Sequence, residues 1–407
     1  MASRFLLANV LHRRGNKISN WTLGACCYHM DVGSAELGSD ARVIDMRSDV
    51  LTKPNKRMRQ AMADAVVGDD VFREDPMIHE IQAKVANMFG MEAALFVPSG
   101  TMGNLVAMMA HCSNRGDEVI LGDKSHLFLF EQGGIAQVAG VHPMPVINRN
   151  DGTFSIKELK SKIRPTDDPH QTLTRVVSIE NTHNFCGGRV LPLSFIEEVA
   201  EVSHEHGLIV HMDGARLMNA AYALDRPPLD LVKKCDSVSM CLSKGLGAPV
   251  GSMLAGTTEF IEKTIRCRKV LGGGMRQPGI LAAAGLVALS EADMRMAHDH
   301  EIASKFAKGI AKIGGSVIEV DVPAVESNII MLHVVKEGLT SEMFCQRLRE
   351  VTEEESRKFK DNLTKVVAGP WSTTCVRGVT HFDLSHDDID RALRKFEYVI
   401  KEFSDSL

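Results

Sequence analysis

The chain alternates short apolar runs with longer stretches of helical periodicity between residues 55 and 290. The runs at 94–97, 118–121, 176–179 and 208–212 are four or five residues long, which is typical of strands buried on both faces of a sheet. Apolar positions spaced three and four apart between the runs predict helices. This alternation predicts an α/β fold in which helices flank a mostly parallel sheet.

The pattern changes in the last third of the chain. A helical pattern covers 278–313, with an interruption predicted near Glu291–His300. The runs GSVIEV, NIIMLHV and VRGVTHF then predict strands, and a final helix is predicted over 386–403. We therefore predict three parts of the chain: an N-terminal extension at 1–40, a large domain at 41–290 and a smaller C-terminal α+β domain at 291–407.

Polar residues follow the end of each predicted strand of the large domain. Ser99, Gly100 and Thr101 follow the first run, and they open a predicted helix. The unpaired backbone N–H groups of such a turn, with the positive end of the helix dipole, are typical of a phosphate site, and the two hydroxyls add donors. A turn that only caps the helix is the alternative. The chain has no GxxxxGK motif, which excludes a nucleotide P-loop.

An acid and a lysine then complete a pattern that fits pyridoxal phosphate (PLP). Asp213 ends an apolar strand, and Lys244 follows 31 positions later (244 − 213) on a Ser/Gly turn. PLP needs a lysine amine for its Schiff base and a carboxylate that keeps its pyridine nitrogen protonated. Either residue alone is as readily a helix cap or a surface amine. Together with the phosphate turn they predict a PLP site and amino-acid chemistry, and His126 at another strand end can stack on the ring.

These motifs resemble one known family. SGTMGN, DKSHLFLFEQGG, ENTHN, HMDGAR, SKGLGAPVGS and GGGMRQ occur in the order and spacing of the low-specificity L-threonine aldolases, and the resemblance covers about residues 43–402. It implies the PLP-dependent transferase-like fold type I. It also implies retro-aldol cleavage of L-threonine or L-allo-threonine to glycine and acetaldehyde by a homotetramer that is a dimer of dimers.

The resemblance also implies roles for individual residues. Lys244 carries the cofactor, Asp213 holds its nitrogen, His126 lies on its ring face and His183 lies near the substrate hydroxyl. Which histidine, or a water held by them, removes the proton stays open. The remaining predicted contacts are Ser99, Gly100, Thr101, Arg216 and Arg276 for the cofactor, with Arg276 near its phosphate or the subunit boundary, and Ser48, Arg216 and Arg377 for the substrate.

The composition of the chain limits which partners and which cellular compartments are expected. A net charge of −5 and the lack of a bilayer-length apolar run predict neither a nucleic-acid nor a membrane partner. Nine cysteines without CxxC pairs predict reduced thiols and no metal site, and His204, His206, His298 and His300 are interpreted as surface residues. The first acid is Asp31, after a basic segment that fits either a mitochondrial transit peptide or an extension of a cytoplasmic enzyme, so the matrix and the cytoplasm both stay open.

Two other functions are compatible with the sequence. A β-eliminating lyase of the same fold shares the lysine and the aspartate, but it releases ammonia and a keto acid instead of glycine. A non-catalytic PLP-binding protein is the second alternative. The presence of Lys244, Asp213, His126 and Arg377 together argues against loss of catalysis.

Overall fold

The computed structural model of the protein describes residues 41–405, so the predicted N-terminal extension lies outside the described residues. Its strands are β1 Arg42–Asp45, β2 Ala93–Val97, β3 Asp117–Gly122, β4 His142–Val146, β5 Leu173–Glu180, β6 Ile209–Asp213, β7 Ser237–Cys241, β8 Ser252–Gly256, β9 Ile318–Glu319, β10 Ile329–Val334, β11 Thr364–Val367, β12 Gly369–Ser372 and β13 Cys375–Val379. Its helices are α1 Lys56–Asp64, α2 Pro76–Phe89, α3 Gly100–His111, α4 His126–Leu129, α5 Gly134–Gln137, α6 Ile156–Lys162, α7 Leu193–Glu205, α8 Leu217–Leu224, α9 Pro228–Val232, α10 Thr258–Val270, α11 Gly279–Ser290, α12 Ala292–Ile313, α13 Ser341–Arg349, α14 Glu353–Phe359 and α15 His386–Asp405.

The central sheet has seven strands in the order β2-β8-β7-β6-β5-β3-β4. The pairs among β4, β3, β5, β6 and β7 are parallel, and β8 is antiparallel to both β7 and β2. Strand β2 therefore runs in the same direction as the parallel strands, and its carboxyl end lies at their edge of the sheet. The predicted α/β class with a mostly parallel sheet is confirmed.

The strand register brings the polar strand ends level with one another. Glu180 at the end of β5 lies opposite Asp213 at the end of β6, and Asp213 lies opposite Ser239 in β7. The loop that returns from β7 to β8 leaves the same edge and carries Lys244. Since ligands of open α/β sheets bind outside the carboxyl ends of the strands, this edge is where a site is expected.

A second sheet lies in the C-terminal third. It is antiparallel, with the order β12-β13-β10-β9, while β1 pairs with β11 in a parallel pair of its own. Ile44 and Met46, at the N-terminal end of the described chain, pack in the same core as Phe306, Phe344 and Phe396. Residues 42–46 thus pack with the C-terminal core rather than with the central sheet, and the predicted boundary at residue 290 stays a prediction.

The long helical pattern is interrupted as predicted. Helix α11 ends at Ser290 and α12 begins at Ala292, so the break falls at Glu291. Helix α12 joins the core beside the central sheet, which includes Val177 and Met212, to the C-terminal core, because Ala292 and Met296 pack in the former and Ile302 to Ile310 pack in the latter. No helix of residues 41–405 is both long and apolar enough to cross a membrane.

The interpretation of four histidines as surface residues is wrong for two of them. His204 and His206 are exposed at the end of α7. His298 and His300 are half-buried, and His298 Nε2 lies 2.7 Å from the carbonyl oxygen of Leu384. Burial lowers the pKa of His300 to about 4. The periodicity of α12 did not reveal this, because the neighbours of these rings come from distant parts of the chain.

Candidate active site

A pocket opens at the carboxyl edge of the central sheet, where the C-terminal antiparallel sheet meets it. Its lining combines residues of the N-terminal segment, the strand-end loops and the second sheet: Arg47, Ser48, Val50, Leu51, His126, Phe130, Asn184, Arg216, Lys244, Trp371 and Arg377. Five of these residues, namely Ser48, His126, Arg216, Lys244 and Arg377, are among those predicted for the site. The sequence therefore predicted much of the wall of a single pocket.

The predicted phosphate turn is present at the start of α3. Ser99 is the N-cap, and its hydroxyl accepts a hydrogen bond from the backbone N–H of Met102 at 3.2 Å. A Cβ added to Gly100 would lie 2.6 Å from Cys241 Sγ, so the turn approaches the end of β7 too closely for a larger residue. Ser99 and Thr101 are exposed. The turn can thus offer its backbone N–H groups to an anion.

Asp213 is a buried carboxylate that two N–H groups hold in place. Asn104 Nδ2 donates to its Oδ2 at 2.9 Å, and the backbone N–H of Ala215 donates to its Oδ1 at 3.1 Å. The amide oxygen of Asn104 accepts from Ser239 at 2.7 Å and lies 3.3 Å from His211 Nε2. Burial lowers the pKa of His211 to about 4, so this neighbour of Asp213 is neutral at physiological pH.

His126 is joined to the same network from the other side. Its Nδ1 lies 2.9 Å from Glu131 Oε1, and that oxygen also accepts from Asn104 Nδ2 at 2.9 Å. Burial opposes a positive charge on His126, but the hydrogen bond with Glu131 and the charge of Asp213 outweigh it, so the pKa of His126 is raised. Burial disfavours the charged form of Glu131 and so raises the pKa of this carboxyl group. His126, Glu131 and Asp213 offer ligand atoms within 4.8 Å of one another, but the N–H groups of Asn104 already point at both carboxylates.

Two arginines converge on the opposite wall. Arg216 makes a bidentate pair with buried Asp49, at 2.8 Å from Nε and 2.7 Å from Nη2. Burial disfavours the charge of Asp49, but Arg216 outweighs it and lowers the pKa of Asp49 far below its ordinary value. Arg216 Nη1 and Arg377 Nη2 both donate to Asn184 Oδ1, at 3.3 and 2.8 Å. The Arg377 guanidinium also lies over the ring of Trp371, 5.1 Å from its centroid.

Glu180 joins the histidine loop to the arginine wall. Its carboxylate is buried, and it accepts the backbone N–H of His126 at 2.6 Å and that of Asn184 at 2.7 Å. The side chain of Glu180 therefore fixes both the loop that carries His126 and the loop that carries Asn184. This role was not predicted from the sequence, although the position of Glu180 at a strand end indicated a site residue.

Comparison with known proteins decides the family. A family model described as beta-eliminating lyase matches residues 45–336. Low-specificity L-threonine aldolase 1 of Arabidopsis thaliana is 44% identical over 357 residues, which are 88% of this chain and 96% of that protein. The low specificity L-threonine aldolase of Escherichia coli (strain K12) is 40% identical over 347 residues, 85% of this chain and 96% of that protein. This chain belongs to the low-specificity L-threonine aldolase family.

A solved structure supports the fold of this threonine aldolase family member. The threonine aldolase of Leishmania major superposes with a TM-score of 0.69 at 17% identity, covering 88% of this chain and 99% of that one. At that identity the likeness concerns the fold alone. The predicted family and the predicted fold type I are both confirmed.

The groups at this sheet edge fit PLP. Lys244 and His126 line the pocket and would supply an amine for the aldehyde and an imidazole for the ring face. Asp213, which Asn104 joins to Glu131 and His126, would supply a carboxylate for the pyridine N–H, and the start of α3 would supply backbone N–H groups for the phosphate, although neither lines the pocket itself. These four groups come from different strand ends of one sheet edge, and their chemistry matches that of the cofactor.

His183 and Arg276, which were predicted for the site, lie apart from the pocket. His183 is only 1% exposed and lines a separate small cavity with Ser125, Asn148 and Phe195, and neither of its ring nitrogens has a hydrogen-bond partner among residues 41–405. Arg276 is exposed, pairs with Asp69 at 3.0 Å and does not line the pocket of its own chain. The roles of both residues stay predictions.

Residues that were not predicted complete the site. They are Asp49, Asn104, Glu131, Glu180, Asn184 and Trp371. Asn104, Glu131, Glu180 and Asn184 lie within the recognised motifs SGTMGN, DKSHLFLFEQGG and ENTHN, and Asp49 directly follows the predicted Ser48, so their sequence context carried a signal. Trp371 lies outside these motifs.

Proposed function

We propose that the protein is a PLP-dependent carbon–carbon lyase that cleaves L-threonine and L-allo-threonine to glycine and acetaldehyde. The observation that carries the proposal is that Lys244 and His126 share one pocket with Arg216 and Arg377. A lysine and a histidine at a PLP-type strand edge supply covalent attachment and proton transfer, while paired arginines suit an α-carboxylate.

PLP, when bound, supplies a protonated ring that accepts the electrons left on Cα as the Cα–Cβ bond breaks. Four groups of the chain would hold it. Lys244 would provide the attachment amine, Asp213 would accept the pyridine N–H, His126 would cover the ring face and the α3 turn would bind the phosphate. Asn104 and Ala215 fix the direction of the Asp213 carboxylate at 2.9 and 3.1 Å.

The arginine wall orients the substrate. Arg216 is held by Asp49 through Nε and Nη2, which leaves Nη1 directed at the pocket side, where Asn184 lies. Arg377 is stacked on Trp371 and also contacts Asn184. A substrate carboxylate between Arg377 and Ser48 would gain charge-assisted hydrogen bonds from a preorganised donor set. His126 lines the same pocket as Ser48 and Arg377.

We assign the acceptor of the β-hydroxyl proton to His126. It lines the pocket, whereas His183 lies in a separate cavity. Imidazole suits this role because its pKa is close to physiological pH. Transfer of the hydroxyl proton to His126 would accompany cleavage of the Cα–Cβ bond and release of acetaldehyde, and return of one proton to Cα would give glycine.

The proposal is tested by incubating the purified protein and PLP with L-threonine or L-allo-threonine. We expect equal amounts of glycine and acetaldehyde from each. Ammonia and a keto acid in their place would select the β-eliminating lyase, and the absence of any product despite bound PLP would select a non-catalytic protein. Arg377→Ala is the matched variant, which retains PLP and loses affinity for the amino acid.

We further propose that the enzyme is a homotetramer, and that it acts in the cytoplasm or the mitochondrial matrix. Exposed large apolar side chains support assembly: Val66, Phe72 and Val270 are 67%, 71% and 75% exposed, and Arg276, which was predicted near the subunit boundary, lies 5.9 Å from the Phe72 ring. Light scattering at assay concentration is expected to give four chains, and an active monomer would contradict the proposal.

A further inference from the structure

The carboxylate of Glu131 contacts Nδ1 of His126 and can therefore decide which ring nitrogen carries the hydrogen. We propose that Glu131 is a positioning residue that holds neutral His126 with its hydrogen on Nδ1, and that Asn104 anchors this pair to Asp213. Nε2 then presents a lone pair to the pocket. The inference rests on the proposed function for its catalytic meaning, because a lone pair at Nε2 is what a proton acceptor requires.

The orientation of the Asn104 amide is the first step. Its Nδ2 lies 2.9 Å from Asp213 Oδ2 and 2.9 Å from Glu131 Oε1. Two carboxylate oxygens are acceptors, so only the NH₂ end of the amide can lie between them. The other end agrees, since Oδ1 accepts from the Ser239 hydroxyl at 2.7 Å. Both hydrogens of Asn104 are thereby used, one on each carboxylate.

The state of Glu131 is the second step. Its Oε1 accepts from Asn104 and also lies 2.9 Å from His126 Nδ1. Two nitrogens that converge on one carboxylate oxygen are most simply two donors, which places a hydrogen on Nδ1. A neutral imidazole has a single N–H, so Nε2 is then the bare nitrogen. Within residues 41–405 this contact is the sole side-chain hydrogen bond of the His126 ring.

The burial of Glu131 and Asp213 close to each other explains why an amide, that of Asn104, lies between them. Glu131 and Asp213 are 5% and 3% exposed, and like charges so close would disfavour each other without a donor between them. Asn104, itself 2% exposed, supplies that donor to both. Asp213 and His126 are thus held by one rigid buried chain of hydrogen bonds. In the proposed function Asp213 would bind the cofactor nitrogen and His126 would cover its ring.

The test is nuclear magnetic resonance of protein labelled with ¹⁵N-histidine, recorded without substrate at a pH where His126 is neutral. A His126→Asn variant assigns the signal. We expect the hydrogen on Nδ1 in the natural protein and a loss of that preference in Glu131→Gln, because an amide can offer either its oxygen or its NH₂ to Nδ1. In the loaded enzyme, kcat for threonine should fall about 10- to 100-fold in Glu131→Gln with PLP retained.

A matched control is available on the surface. Asp168 accepts from His170, with 3.0 Å between its Oδ1 and Nδ1, and lies outside the site. Asp168→Asn should leave the His126 signal and the kinetics unchanged.

Three outcomes overturn the positioning role. They are a hydrogen on Nε2 in the natural protein, as a protonated Glu131 would produce, an unchanged tautomer in Glu131→Gln, and an altered His126 signal in the Asp168 control. If Glu131→Gln does not fold, the natural protein alone still decides the tautomer. A hydrogen on Nδ1 without threonine cleavage would refute the proposed function and leave the positioning role standing.

Discussion

The candidate site has two halves that differ in origin. The half that would hold the cofactor, formed by His126, Asp213 and Lys244 and called the cofactor half, comes from the strand ends of the central parallel sheet. The clamp half, Ser48, Trp371 and Arg377, comes from the N-terminal segment and the C-terminal antiparallel sheet. A sheet edge collects residues by topology alone, whereas the clamp forms only when two separate cores pack together. Chemistry and substrate orientation are therefore built on different elements, and each is open to separate disruption.

The two halves are joined by a few buried contacts. Thr52, in the N-terminal segment, donates through its hydroxyl to the carbonyl oxygen of Lys244 at 3.2 Å. Asn184 and Glu180 extend the connection from Arg377 to the backbone of His126. These contacts fix the distance between attachment point and clamp, which a reaction that depends on orientation requires.

Removal of the attachment amine should have the largest effect. Lys244→Ala is expected to abolish turnover and covalent attachment of PLP, because no other residue lining the pocket supplies an amine. The fold should persist, since Lys244 belongs to neither core. Absorbance spectra and circular dichroism measure the two effects, and turnover by a folded Lys244→Ala protein would disprove the assignment.

The two histidines give the next contrast. His126→Asn should lower kcat by about 100-fold or more, the usual contribution of a proton-transfer group. His183→Asn should mainly lower the free energy of unfolding, by about 1–3 kcal/mol, because its ring is buried in a separate cavity. Kinetics and thermal unfolding of both variants distinguish them. Equal losses of kcat at unchanged stability would show that His183 also takes part in proton transfer.

Asp213→Asn tests the electronic part of the cofactor half. A neutral amide cannot keep the pyridine nitrogen protonated, so kcat should fall by about one to two decades while PLP is still bound. Activity and PLP content are measured on the same sample. Turnover close to that of the natural protein would remove the need for a protonated ring.

Arg377→Ala tests the clamp half alone. PLP should remain attached, while the KM for threonine rises by about 10- to 100-fold with the loss of a charge-assisted pair. Arg377→Lys should recover part of this loss, because an ammonium lacks the planar fork. Unchanged KM and kcat in Arg377→Ala would show that the substrate carboxylate binds elsewhere, with Ser48 and Arg216 as the next candidates.

The pH dependence should show the smallest effect. His126 accepts a proton only when neutral, so kcat/KM is lost as the pH falls through its pKa, and the raised pKa puts this loss above about pH 6.5. Glu131→Gln removes a hydrogen bond that raises this pKa and should move the loss to lower pH. The charged groups that face His126 or share its pocket are Glu131, Glu180, Asp213, Lys244, Arg47, Arg216 and Arg377. If the pH profile of kcat/KM is unchanged in Glu131→Gln, the loss of activity at low pH belongs to another of these groups.

The contrast between the halves also explains what the sequence could predict. His126, Asp213 and Lys244 follow strands, and strand ends meet at one edge whatever the loops do, so their meeting was predictable. Arg377 was placed in the site by the family resemblance alone. The pairing of Arg216 with Asp49 depends on how the two cores pack, and no local pattern encodes that pairing.

The position of the His183 ring was less predictable. The family resemblance implies a place near the substrate hydroxyl, and that role stays a prediction. In the structure the chain turns back at Gly187 and Gly188, both with positive φ, and the backbone N–H of His183 donates to the carbonyl oxygen of Arg189 at 2.8 Å. This reversal accompanies a ring buried in a separate cavity, away from the pocket lining. A loop of this kind is set by tertiary contacts, which periodicity and motif spacing do not report.

The central claim is that the lysine between the two halves holds the cofactor. Reduction of the PLP-loaded protein with borohydride, followed by peptide mapping, tests it most directly. We expect a single pyridoxyl group on Lys244, and prior incubation with a saturating amino acid should prevent its formation. A label on any other lysine would show that the cofactor is attached elsewhere.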